Sequence, residues 1–103
     1  MYLAVQTIGE LRRGVERIRA RGDDAQAKLL ETWLKTIIQD YSDKILAFDE
    51  DSAQVWGRLM SPNNQHPIDK QIAAIALIHD LTVVTRNVAD FSETGVRLFN
   101  PFD

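Results

Sequence analysis

The chain has no cysteine among its 103 residues. That removes disulfide frameworks, thiolate nucleophiles and zinc–thiolate centres from consideration, and it suits a reducing cytosol. Long apolar runs are also missing. The longest, residues 72–78, falls far short of the roughly 20 residues needed to cross a bilayer. The start, MYLAVQTIGE, has neither the basic opening nor the apolar stretch of a signal peptide. A cytoplasmic protein with no membrane partner is therefore expected. A large excess of charge of one sign is lacking too: the net charge of −3 gives no whole-molecule field favouring nucleic acid. No Ser-His-Asp order, glycine-rich phosphate loop or zinc signature is present.

What remains is an ordinary globular composition, 45% apolar and 26% charged, of a size for one domain spanning residues 1–103. Residues 2–6 (YLAVQ) read as a strand. Thr7 then fits a helix N-cap with Glu10 at the capping-box position. The helix that follows carries Ile8, Leu11, Val15 and Ile18 on one stripe. Gly14 is costly inside a helix, and it lies beside Glu10 outside the apolar stripe, leaving room for an approach to that acid. Arg12, Arg13, Arg17, Arg19 and Arg21 crowd the same segment. They read either as a solvated helix face or as a local patch for phosphates.

A turn at residues 21–24, with Asp23 or Asp24 as cap, opens a second helix. Its wide apolar face holds Ala27, Leu30, Trp33, Leu34, Ile37, Ile38 and Tyr41. Residues 45–48 (ILAF) form a short strand, and Asp49 caps a third helix with Ala53, Trp56, Leu59 and Met60 inward. After the loop SPNNQH comes the stretch on which the chain is organised, residues 67–91. It comprises a buried helix opened by Asp69, a β-branched strand at residues 82–85 and a polar loop with Asn87 and Asp90. A last strand covers residues 96–100. Strands alternating with helices give an α/β class with a mostly parallel sheet.

Glu10, Asp69, Asn87 and Asp90 each begin a helix or follow a strand, and open α/β sheets gather chemistry at the carboxyl ends of their strands. Oxygen ligands without cysteine or paired histidines suit a hard cation such as Mg²⁺ or Mn²⁺. Such an ion activates water and stabilises charge on a phosphodiester. Each residue has a structural alternative: capping for Glu10, first-turn amides for Asp69, turn formation for Asn87 and Asp90. His79 reads as a helix C-terminal residue. His66 reads as a loop residue with no acid at ligand spacing.

The segments TIGELRRGVE, ILAFDEDSAQVWGRL, PIDKQIAAIAL, LTVVTRNVADF and TGVRLFNPFD, in this order, resemble the PIN-domain toxins of bacterial toxin–antitoxin modules. The likeness is to the VapC and FitB type, also labelled plasmid-stability proteins, and covers nearly the whole chain. It implies a PIN-like α/β/α sandwich and a Mg²⁺- or Mn²⁺-dependent endoribonuclease. It also implies a homodimer held inactive by a cognate antitoxin. Carried over residue by residue, the metal ligands are Glu10, Asp69 and Asp90, with Asn87 assisting and Thr85 an orienting hydroxyl. Arg12, Arg13 and Arg17 would contact RNA.

Such toxins begin with a buried strand ending in Asp-Thr-Asn, which the segment from Tyr2 onward does not supply. The resemblance therefore implies an N-terminally truncated domain without its central strand and first aspartate. An impaired nuclease follows, or alternatively an inactive relic that dimerises or binds antitoxin. The gap would be closed either by direct pairing of the flanking strands or by a partner chain.

Overall fold

The structure is a computed structural model and describes residues 2–85 and 87–101. Arg86 of the TRN motif lies outside the described residues. Elements run β1 (Leu3–Ala4), α1 (Val5–Ala20), α2 (Asp24–Asp40), β2 (Ile45–Leu46), α3 (Glu50–Met60), α4 (Pro67–Ile78), β3 (Thr82–Val84), a 3₁₀ turn (Val88–Phe91) and β4 (Arg97–Phe99). This is the expected α/β order. Two compact units divide it, Met1–Leu46 and Ala47–Asp103. None of the helices formed by the described residues is long and apolar enough to cross a membrane.

In the first unit, β1 pairs in parallel with β2, Leu3 opposite Ile45 and Ala4 opposite Leu46. The strand expected at residues 2–6 is thus cut short, because the helix begins at Val5. This overturns the capping-box reading. The N-cap is Ala4, with no side-chain cap, and Thr7 already lies inside the helix, as does Glu10. The α1 stripe packs on α2, with Val15, Ala27 and Leu34 buried. Asp23 caps α2 as expected, accepting from the Gln26 N–H at 3.2 Å. The broad apolar face expected of α2 is only partly covered: Ala27 and Leu34 are buried, whereas Trp33 and Ile38 are exposed. A helix packed against one neighbour buries a stripe, and the flanks of a wide face stay wet.

In the second unit, Asp49 caps α3 as expected. Its Oδ1 accepts from the Ser52 N–H at 2.9 Å and from the Ser52 hydroxyl at 2.8 Å. These bonds hold the Asp49 carboxyl below its ordinary pKa, the backbone bond foremost. Ser52 is fully buried, while Ala53, expected inward, is exposed. The Trp56 indole lies edge-on to Phe48 and donates to the Pro67 carbonyl at 3.0 Å, tying α3 to the start of α4.

Helix α4 supplies the core of this unit. Ala73 and Ala76 cluster with Val83, Phe91 and Val96. Strand β3 pairs in parallel with β4, Thr82 opposite Arg97 through Val84 opposite Phe99. A strand covered on both faces was expected at residues 82–85; instead Val83 is buried while Thr82 and Val84 are exposed. Among the described residues the strands form two two-stranded parallel sheets, β1–β2 in the first unit and β3–β4 in the second.

Candidate metal centre

The second unit gathers ligand-bearing side chains around the start of α4. Pro67 at the first helical position, with its fixed φ and no N–H to leave unpaired, starts the helix, and Asp69 falls in its first turn. His66 stands at the N-cap in the left-handed region, φ 54° and ψ 53°. Its Nδ1 lies 3.9 Å from Asp69 Oδ2 and its Nε2 lies 3.7 Å from Asp90 Oδ1. One ligand atom from each of His66, Asp69 and Asp90 fits within 4.8 Å of the others, and all three residues retain access to solvent.

Asp90 reaches this point through the turn after β3. The Thr85 N–H donates to the Phe99 carbonyl at 3.0 Å, fixing the strand end. Thr85 Oγ1 accepts from the Asn87 N–H at 3.0 Å, and the Asp90 N–H donates to the Asn87 carbonyl at 3.1 Å. Thr85 and Asn87 therefore shape the loop that carries Asp90 through backbone bonds. The Thr85 hydroxyl thereby orients the turn.

Burial raises the Asp69 carboxyl above its ordinary pKa, and the neighbouring Asp90 charge raises it further; His66 opposes both. A carboxyl whose charge is disfavoured by burial and by a second carboxylate, beside an imidazole, forms a donor set that a divalent cation would relieve. The separations are wider than a closed coordination sphere, and partly exposed side chains can close them. On donor chemistry the residues fit a metal.

A small hollow of about 90 Å³ adjoins the cluster, and His66, Asp90, Lys70, Asn63 and Glu93 are among its lining residues. Lys70 is 3% exposed, and its Nζ donates to Asn63 O and Oδ1, both at 2.8 Å. Asn63 Oδ1 also accepts from the Gln65 N–H at 3.0 Å, and Asn63 Nδ2 donates to Glu93 Oε2. Lys70 thus clamps the loop on which His66 rides. Sequence reasoning missed both residues. Contrary to expectation, His66 does have an acid at ligand spacing. Asp69 stands three residues on, the separation at which helical side chains meet, and that spacing was the available signal. Nothing in the sequence marked Lys70.

Of the expected site residues, Asp69 and Asp90 come together, with Asn87 exposed at the base of the same turn. Glu10 belongs to the first unit, where it is exposed on α1. Arg12, expected to contact RNA, is engaged instead by Glu31 at 2.9 Å and Glu16 at 3.1 Å, while Arg13 and Arg17 are exposed.

Comparison with known proteins shows the family. The model of the PIN domain family matches residues 1–96. Toxin FitB of Neisseria gonorrhoeae is 33% identical over 99% of this chain and 76% of its own length. Plasmid stability protein StbB of Pseudomonas syringae pv. tomato is 28% identical over 100% of the chain and 76% of its own length. A VapC ribonuclease of Sinorhizobium fredii is 26% identical over the same shares. Among solved structures, FitAcB from Neisseria gonorrhoeae superposes with a TM-score of 0.80 at 32% identity, over 98% of this chain and 75% of that one. FitAB bound to a DNA fragment gives 0.79 at 28%, over 99% and 73%.

Proposed function

Given that the chain belongs to the PIN-domain family, among toxins of the VapC and FitB type, we propose that it is a divalent-metal-dependent endoribonuclease of a toxin–antitoxin module. The observation that carries this reading is the cluster of His66, Asp69 and Asp90 within 4.8 Å at the start of α4. Asp69 and Asp90 would hold the ion through oxygen and His66 through one ring nitrogen. Glu10, by its place in the family motif alone, would serve as a further ligand. When bound, the metal lowers the pKa of its water and stabilises charge developing on the phosphodiester. The chain's own residues do the rest. Thr85 and Asn87 set the turn that presents Asp90, and Lys70 with Asn63 fixes the loop that presents His66. An imidazole among the ligands favours Mn²⁺ over the harder Mg²⁺, which keeps oxygen ligands and waters.

Within the second unit the described residues offer three ligand groups, all partly exposed. Such a site holds its metal weakly, so the nuclease is an impaired one. The same observation supports a second reading, a relic that no longer cleaves and serves as a dimerisation or antitoxin-binding module. Incubation of the purified protein with single-stranded RNA and Mn²⁺ separates them. The nuclease reading expects cleavage that EDTA abolishes and that Asp69→Asn lowers by about 10²-fold or more. Cleavage unaltered by Asp69→Asn would sink it. Mn²⁺ calorimetry giving no binding would favour the relic.

For partners, an antitoxin is supported by the FitAB assemblies among the structural neighbours. A homodimer acting in the cytosol is proposed with it. Its melting temperature should rise with protein concentration, and a concentration-independent melt would count against the dimer.

A further inference from the structure

Helix α1 carries three distinct faces, separable by its period of about 100° per residue. The apolar stripe of Ile8, Leu11, Val15 and Ile18 turns to the core. A second face holds Arg12, Glu16 and Arg19, closed onto α2: Arg12 and Arg19 meet Glu31 at 2.9 and 2.6 Å and Glu16 at 3.1 and 2.6 Å. The third face, roughly 150° from the second, holds Glu10, Arg13, Gly14, Arg17 and Arg21. All five are exposed, and among the described residues none of its arginines has an ion-pair partner. An open hollow of about 460 Å³ lies on this face, bordered by Gly14, Arg17, Ile18 and Arg21. A Cβ built on Gly14 would meet nothing within 4 Å, so packing does not explain the glycine.

We propose that this face is a track for the phosphodiester backbone of single-stranded RNA, running from Glu10 across Gly14 to Arg17 and Arg21. It deepens the nuclease reading and rests on it for the role of Glu10. A bare carboxylate repels phosphate, so the anchoring contacts lie further along, at Arg17 and Arg21, about 10.5 and 16.5 Å down the axis from Glu10. Glycine one turn beyond Glu10 removes the side chain that would hold a strand off the helix. Arg12 and Arg19 are neutralised by Glu16 and Glu31, which leaves the unpaired arginines of this segment on the face that Glu10 shares. Arg12 thereby leaves the RNA-contacting set and Arg21 enters it.

The test is binding of a short labelled oligouridylate to the full chain in EDTA, read by anisotropy across a salt series. Removing one arginine–phosphate pairing should lower the slope of log affinity against log salt by about 0.7. The double variant Arg17→Gln, Arg21→Gln should therefore reduce the slope by about 1.4, and Arg12→Gln should leave it as it was. Gly14→Leu should weaken binding with the melting temperature held or raised, since leucine favours helix more than glycine does. An unchanged slope in the double variant overturns the proposal. So does an equal reduction in Arg12→Gln, which would mean net charge alone. Polyglutamate binding as tightly through Arg17 and Arg21 would make the face a protein-docking surface and overturn it too. Because the assay contains no metal, the nuclease reading and the track fail separately: cleavage with an unchanged slope sinks only the track.

Discussion

At the scale of single residues, the centre at α4 depends on side chains of three kinds. Burial and the neighbouring Asp90 make charge costly on Asp69, and His66 stands between the two acids at 3.9 and 3.7 Å. Asp90→Asn should weaken Mn²⁺ binding measured by calorimetry by at least tenfold, since an amide is a poorer ligand for a cation than a carboxylate. His66→Gln should weaken Mn²⁺ more than Mg²⁺; equal losses for both would deny the imidazole a ligating role. Lys70 works at one remove. Lys70→Met removes both bonds to Asn63 while keeping an aliphatic stem in the core. It should lower Mn²⁺ affinity, and Lys70→Arg should recover part of it; equal affinity in all three proteins would leave Lys70 a packing residue.

At the scale of elements, the helices are held by simple devices. Leu34 is fully buried between α2 and its neighbour, so Leu34→Ala should cost roughly 2–5 kcal/mol of stability in denaturant unfolding. The network between α1 and α2 sets an acid limit. Hydrogen bonds from Arg19 first, and then from Arg12, pull the Glu31 carboxyl down to about 2 from 4.5. A depressed carboxyl stabilises the fold above its unfolded pKa, and the benefit is lost as pH falls through the folded one. Melting temperature should therefore decline between about pH 4.5 and pH 2. Glu31→Gln should flatten that decline, and added salt should shrink the difference because these groups face water.

The elements also mark what the sequence made legible. Asp23 and Asp49 stood where caps belong, and both caps form, because an Asx side chain before an apolar period has few other uses. Element order and the acids at Asp69 and Asp90 were readable for the same reason. Glu10 misled: its spacing from Thr7 matched a capping box, yet the helix opened three residues earlier, with Ala4 as its N-cap. His66 was missed because its role depends on a left-handed backbone and on Asp90, distant in sequence. A period reveals neighbours within an element, whereas a loop that folds back onto another leaves no periodic trace.

At the scale of the whole molecule, charge and pairing decide how the chain meets others. A net charge of −3 conceals one exposed face bearing Arg13, Arg17 and Arg21. Local arrangement, rather than the total, then governs encounter with a polyanion. Among the described residues, strand β3 forms its ladder with β4, and Val84 and Phe99 are exposed. An open edge beside exposed apolar side chains can add a strand from another chain. Addition of a cognate antitoxin should then protect β3 amides from hydrogen exchange, if that edge is where it docks; protection confined to other elements would place docking elsewhere.

The left-handed backbone at His66 has a consequence for engineering. A residue with a Cβ spends about 1 kcal/mol to sit there, and glycine would not. Glycine in turn gives the unfolded chain extra freedom of similar size. His66→Gly should therefore leave the melting temperature almost where it was while removing the imidazole. It offers a silent knock-out, a protein as stable and as foldable as the parent but without the imidazole, so that a change in its Mn²⁺ affinity reports on that side chain alone.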